Sequence, residues 1–333
     1  MLRSPWSKVQ PNPVKLRPVQ LTLQNLGNVG QGWRTDTYRA LFAGAPDKIH
    51  VLTFDYRGFG HSTGSPSEEG LILDGIAAVN WALKVAGIPS SRILLIGHSL
   101  GTAVTTAVAE HFVLREGLEF AGVVLVAAFT DIPALMLTYN AGGIVPVLSP
   151  LKPYPRIQHF FASRIVDRWM TVERLEGFVK GSRRLHLTLL NAKSDHSIAW
   201  QHSQALFYTA VKAIAARNVS KEEINEMVAM EDLGEGGTSY QWTEGPMEVR
   251  WELMRHGGRL YVQAPTWTML INKSRARSPH DICSSDAGGP KGIRVLIKRF
   301  NIQQLSKING QRFGKSEATD FVRHVHPDAL MYP

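Results

Sequence analysis

The chain has 333 residues, 44% of them apolar and 20% charged, with a single cysteine, Cys283; those proportions fit one large globular domain and exclude a disordered, fibrous or disulfide-stapled chain. Of the formal net charge of +9, most sits in residues 272–333, which hold 11 Lys and Arg against 5 Asp and Glu, leaving 26 against 23 in the rest. Without aromatic and basic residues interleaved, this reads as a solvated basic extension, and no nucleic-acid partner is expected. Neither the segment Met1 to Lys8 nor the longest apolar run, Ala121 to Phe129, has the length of a signal-peptide core or a membrane span. A cytoplasmic or peripherally membrane-associated protein is the expectation, and one thiol fits a reducing compartment.

In chain order, the apolar run Lys48 to Phe54 predicts a strand ending in the glycine-rich loop Asp55 to Gly60, and Ser67 to Gly87 carries helical spacing. Ile93 to Ile96 predicts a second strand, followed by Gly97-His98-Ser99-Leu100-Gly101 and a helix reaching about Arg115. Further strands are expected at Gly122 to Ala128, Leu185 to Ala192 and Met247 to Met254, with a helix over Ser197 to Arg217 and a turn-rich loop over Gly234 to Gly245. Strands that are apolar on both faces and alternate with helices imply a mostly parallel sheet covered on both sides, an α/β fold. Between two of these strands, residues 130–184 form a proline-punctuated insertion containing Leu135, Met136, Leu137, Tyr139, Phe160, Phe161 and Trp169. This length predicts a lid of short helices whose apolar side chains line an acyl pocket, or else a helical excursion that only packs on the core. The domain is therefore expected over residues 1–271, followed by a poorly packed extension over 272–333.

The segment around Ser99 carries the chemistry. A buried strand, a G-x-S-x-G turn and a helix in succession make a nucleophile elbow: the turn is so sharp that Gly97 and Gly101 leave no room for a Cβ, and Ser99 must accept strained backbone angles. The helix that follows aims its first N–H groups at the same point, so negative charge developing on a bound acyl group would meet the amide of Leu100.

Three stretches together, Asp55-Tyr56-Arg57-Gly58-Phe59-Gly60-His61-Ser62, Gly97 to Ala103 and Asn191-Ala192-Lys193-Ser194-Asp195-His196-Ser197-Ile198, resemble the α/β-hydrolase superfamily. Within it the chain is similar to the fungal-type lysophospholipase and monoacylglycerol-lipase group of abhydrolase-domain proteins, over about residues 20–271. The resemblance implies the α/β-hydrolase fold with an inserted helical lid and a Ser-acid-His triad needing no metal or organic cofactor. It also implies a carboxylic ester substrate of lysophospholipid or monoacylglycerol type, with peripheral membrane contact through the lid.

Residue by residue, Ser99 is the expected nucleophile. Asp195 is the expected acid, although Ala199 replaces the proline that follows this motif in the family; Asp131, just after an earlier strand, is the alternative acid or a helix cap. His256 stands in the slot of the base. His98, His196, His202, His280, His324 and His326 are weaker candidates. The second oxyanion donor falls in the loop at Gln24 and Asn25, where the family's His-Gly pair is missing, and a further His-Asn expected after Gly257-Gly258 is absent as well. These departures lie near the ends of the likeness, the pattern a truncated or mis-spliced gene product would give. They leave open a catalytically impaired relative that serves as a binding protein, and an amidase or peptidase of the same fold is a further alternative.

Overall fold

The computed structural model describes residues 19–23, 50–138, 140–141, 145–146, 153–215, 219–256 and 300–301. The chain enters the sheet at β1 (Val19–Leu23) and β2 (His50–Leu52), with the short β3 (Phe54–Asp55) following at once. Ser67 caps α1 (Glu68–Asn80): its Oγ accepts the Gly70 N–H at 3.2 Å, and Glu68 and Glu69 set negative charge against the positive end of the helix. A π turn, Trp81–Val85, extends that helix. β4 (Ile93–His98) then passes through Ser99 into α2 (Leu100–Glu116).

β5 (Gly122–Val126) is buried along its whole length, which requires cover on both faces of the sheet. It ends two residues before the expected Ala128 because Ala127 turns out of the strand at φ 52°. After it come α3 (Ile132–Thr138), the small pair β6 (Asn140–Ala141) and β7 (Val145–Pro146), α4 (Pro155–Ser163) and α5 (Thr171–Gly181). The chain returns to the sheet in β8 (Leu185–Ala192), then forms α6 (Trp200–Ala215), α7 (Lys221–Met227), β9 (Ala229–Asp232), β10 (Thr238–Glu244) and β11 (Met247–Met254).

The strand order is β2-β1-β4-β5-β8-β11-β10-β9, parallel from β2 to β11 and antiparallel at the last two. This is the mostly parallel α/β sheet expected from the sequence. Two local expectations fail. The span expected to be a turn-rich loop is largely β10, which pairs with β11 from Thr238↔Leu253 to Glu244↔Met247 across a turn at Gly245 and Pro246. Its alternating Tyr240 and Trp242 carry the strand signal that the nearby glycines obscured. The helix expected from Ser197 starts only at Trp200, because the Asp195 carboxylate holds the N–H groups of Ser197 and Ile198 in a turn. Most of residues 272–333 lie outside the described residues; β12 (Phe300–Asn301) pairs in parallel with β3.

Helices α1, α2, α5 and α6 lie side by side in one row against the sheet. Alternation along β11 fixes how α6 docks. Trp251 faces the helix, its ring 4.7 Å from that of Tyr240 and 6.0 Å from that of Trp200, and its Nε1 donates to Ser203 Oγ at 3.2 Å. On the opposite face of the same strand, Arg250 and Glu252 form a buried ion pair, Nε to Oε1 2.6 Å.

The segment 130–184 holds two kinds of structure. α5 belongs to the row of helices, with Leu175, Phe178 and Val179 buried. Before it, the excursion from α3 to α4 leaves and returns through a narrow neck: Ile132 N–H donates to Arg168 O at 2.9 Å, and Val172 N–H to Thr130 O at 3.1 Å. Glu68 braces the returning strand of this neck by accepting from Trp169 N–H and from Arg174, both at 2.9 Å. Leu135 and Trp169 are buried in the main core, whereas Phe160 and Phe161 are half exposed and line no enclosed pocket among the described residues. Among the described residues no helix is long and apolar enough to cross a membrane.

Candidate active site

The elbow is built by sterics. A Cβ placed on Gly97 would stand 2.6 Å from the Gly101 carbonyl oxygen, 2.6 Å from Thr105 Oγ1 and 2.7 Å from the Thr102 Cα, so only glycine allows β4 and α2 to cross this closely. Ser99 sits between them at φ 54°, ψ −122°, a conformation that costs a non-glycine residue on the order of 1–3 kcal/mol. Backbone bonds hold it there. Its N–H donates to Val126 O at 2.9 Å, and its carbonyl accepts from Thr102 N–H at 2.9 Å and Thr102 Oγ1 at 2.6 Å. The Ser99 amide is thus committed to β5, while Leu100, first in α2, has an amide without an acceptor within the helix. The Ser99 side chain lies buried at the C-terminal edge of the parallel strands, where open α/β sheets bind ligands.

Asp195 follows β8 in a loop tied to the next strand by the Lys193 N–H to Met254 O bond at 2.8 Å. Its Oδ1 accepts from Ser197 N–H at 2.8 Å and Ile198 N–H at 2.9 Å, which fixes the carboxylate and buries it. Asn191 Nδ2 donates to Ile198 O at 3.2 Å and closes the same loop. His256 is exposed and lies two residues beyond β11. Since Ala192 and Met254 are paired in the sheet, the loops carrying Asp195 and His256 leave adjacent strand ends. No hydrogen bond joins these two side chains among the described residues.

Asp131 takes the capping alternative: its Oδ1 accepts the Ala134 N–H at 2.7 Å in the first turn of α3. Gln24 and Asn25 lie outside the described residues, but β1 pairs with β4 up to Leu23↔Gly97, so the chain enters their loop directly beside the elbow. The Asp55 to Ser62 motif is a brace. Asp55 accepts the His61 N–H at 3.3 Å through Oδ2 and the Ser62 hydroxyl at 2.7 Å through its carbonyl, and a Cβ on Gly60, at φ 57°, would overlap the Asp55 carboxylate. The buried Asp74 of α1 accepts from the Arg57 N–H at 2.9 Å and from its guanidinium at 2.8 and 3.1 Å, pinning the other side of the loop.

One contact of this region escapes sequence reading. His202, buried on α6, has its Nδ1 3.0 Å from Thr130 Oγ1, at the start of the neck. Burial pushes the His202 pKa below its ordinary value, opposed by the negative charge of Asp131. Thr130 and His202 are 72 positions apart, and no local pattern pairs them.

A strained serine between a parallel strand and a helix, with an acid after a later strand of the same sheet, defines a class of fold and site. The alpha/beta hydrolase family is matched over residues 26–280, more than half of the chain, and the chain belongs to that family. Among curated relatives, human Protein ABHD12B is 46% identical over 92 residues, 27% of this chain and 24% of that protein. Lysophosphatidylserine lipase ABHD12 of Macaca fascicularis is 28% identical over 194 residues, 58% of this chain and 45% of that one. The chain thus spans about half or less of the length of these relatives. Among solved structures, the esterase Pf2001 of Pyrococcus furiosus shares the fold at a TM-score of 0.50 and 14% identity, over 78% of this chain and 81% of that one.

Proposed function

We propose that this chain is a serine hydrolase acting on carboxylic esters, with Ser99 as nucleophile, His256 as base and Asp195 as the acid that orients it. The observation that carries the reading is the buried, positive-φ Ser99 between β4 and α2. Ser99 Oγ would attack the ester carbonyl carbon while its proton passes to the imidazole of His256, and the resulting oxyanion would be met by the Leu100 amide and an amide of the Gln24–Asn25 loop. Collapse expels the alcohol, which takes the proton from the imidazolium; water then attacks the acyl-enzyme by the same route and releases the acid. Asp195 suits its part because both of its backbone hydrogen bonds fall on Oδ1, leaving Oδ2 for an imidazole N–H. A lipid-like acyl ester, a lysophospholipid or monoacylglycerol, is the proposed substrate class. The partial likeness to a lysophosphatidylserine lipase and the buried apolar residues of the lid support it.

The test is hydrolysis of a short p-nitrophenyl ester together with fluorophosphonate labelling, comparing the parent with Ser99→Ala and His256→Ala. Turnover and labelling that vanish with Ser99→Ala uphold the reading; a parent as inert as Ser99→Ala overturns it. That second outcome would favour a family member that binds acyl ligands without turning them over, a reading supported by the exposure of His256 and the missing hydrogen bond to Asp195.

A further inference from the structure

We propose that the border of the sheet at β2 and β3 is a strand-addition site, and that its occupant is the segment of the chain's own C-terminal extension that ends at about Asn301. The inference does not depend on any chemistry at Ser99. The eight-stranded sheet has two borders, and they differ. At one, β9 is exposed at all four positions and carries Glu231 and Asp232, charges that discourage further pairing. At the other, β2 has β1 as its one neighbour in this sheet among the described residues, yet Val51, Leu52, Thr53, Phe54 and Asp55 are 2%, 5%, 0%, 2% and 1% exposed. Exposure that low covers main-chain as well as side-chain atoms, so the border is shielded along with both faces. The strand found there is β12, which runs parallel to β3 with Phe300 opposite Phe54 and Asn301 opposite Asp55.

The sequence of the extension fits this part. Residues 293–309 run without Gly, Pro, Asp or Glu and include Ile293, Val295, Ile297, Phe300 and Ile302, whereas residues 274–292 are rich in Ser, Gly, Pro and charge. β-Branched and aromatic residues favour strands, and cations such as Lys298 and Arg299 keep an outer strand from recruiting another. Parallel pairing within one chain needs a crossover of only about a dozen residues, far fewer than separate Asp55 from Phe300. Tethering also gives the chain's own segment a higher effective concentration than the same segment of a second copy. The placement has a consequence for the candidate site: Asp55 ends β3 and braces the loop to Ser62, so a strand added at this border steadies the root of that loop.

Limited trypsin digestion of the full-length chain, with the cuts located by mass spectrometry, tests this. Cleavage after Lys298 and Arg299 should be at least about tenfold slower than cleavage after Arg277 in the same extension, because a paired segment must open before it is cut. Hydrogen exchange is the second reading. The amides of Leu52 to Tyr56 should be protected in the parent, and Phe300→Pro with Asn301→Pro, which strips the added strand of its donors, should speed their exchange about tenfold or more. Ala287→Pro, in the Ser- and Gly-rich part of the extension, should leave that exchange as it is. Equal cleavage after Lys298 and Arg277 overturns the proposal, as does a folded double-proline variant whose residues 52–56 exchange like the parent's. Protection that fades on dilution, with a dimer seen in sedimentation, overturns it too, by assigning the strand to a second copy. Should the double-proline variant fail to fold, digestion of the parent decides alone. Ser99→Ala should digest and exchange as the parent does, so an inert enzyme with a protected extension sinks only the hydrolase reading.

Discussion

The two sides of the proposed triad are held in different ways. Ser99 is fixed by backbone hydrogen bonds to Val126 of β5 and to Thr102, the Asp195 carboxylate by the amides of Ser197 and Ile198, and both residues are buried, whereas His256 stands exposed beyond the end of β11. The positions of Ser99 and Asp195 are set once β4, β5, α2 and β8 form. Among the described residues, His256 owes its place to the end of β11. If the proposed roles hold, preorganisation is concentrated on the groups that must carry strain or be shielded from water.

The sharpest way to break this contrast is to remove the chemistry from the rigid side. Ser99→Ala should abolish fluorophosphonate labelling and ester turnover while leaving the melting temperature near that of the parent, since alanine keeps the backbone bonds to Val126 and Thr102. On the exposed side, His256→Ala should lower kcat by about 1,000-fold or more with little change in thermal stability; a turnover close to the parent's would remove His256 from the triad. Asp195→Ala lies between: turnover should fall comparably, and urea denaturation should show a loss of about 1 kcal/mol because two backbone N–H groups lose their acceptor. Gly97→Val separates sterics from chemistry, since its side chain collides with the Gly101 carbonyl and Thr105; a loss of about 3 kcal/mol or more, or no folded protein, is expected.

A smaller effect concerns His202, the buried counterpart of the exposed base. Its pKa is lowered by burial, so the unfolded chain takes up a proton at a higher pH than the folded one. Stability from this source is intact above the ordinary value of 6.5 and falls as the pH drops below it, by up to about 1.4 kcal/mol per pH unit, until the folded-state value is reached. His202→Gln should flatten that slope, as read from urea midpoints at about pH 7.5 and about pH 5.5. A slope that survives the substitution would assign the acid sensitivity to other groups.

Much of the fold was legible because its signals are local. Ile93 to Gly101 specify strand, turn and helix by apolarity and two glycines, and β8 and β11 begin and end where their patterns do. The loop expected over 234–245 was misread because its glycines flank a strand whose alternation only matters once β11 is there to pair with it. In the candidate site, Ser99, Leu100 and Asp195 announce themselves by motif and position. The capping of α3 by Asp131 was one of two open readings, and its Oδ1 does accept a helix N–H. The Thr130–His202 contact was invisible because it joins a loop to a helix face through the tertiary fold alone. The apolar content of the lid was plain, but sequence assigns no direction to Phe160 and Phe161, and the structure turns them outward.

The neck formed by Thr130, Ile132, Arg168 and Val172 also bears on how such a chain can evolve. Its two backbone bonds hold the ends of a 37-residue detour within bonding distance of each other, so its two attachment points on the scaffold are fixed. Closing a longer or shorter loop across fixed ends changes the free energy only logarithmically, about 0.6 kcal/mol for each doubling of length. Apart from Leu135, which is buried in the main core, a change of length between Ile132 and Arg168 is therefore expected to cost little and to leave the register of the eight-stranded sheet as it is.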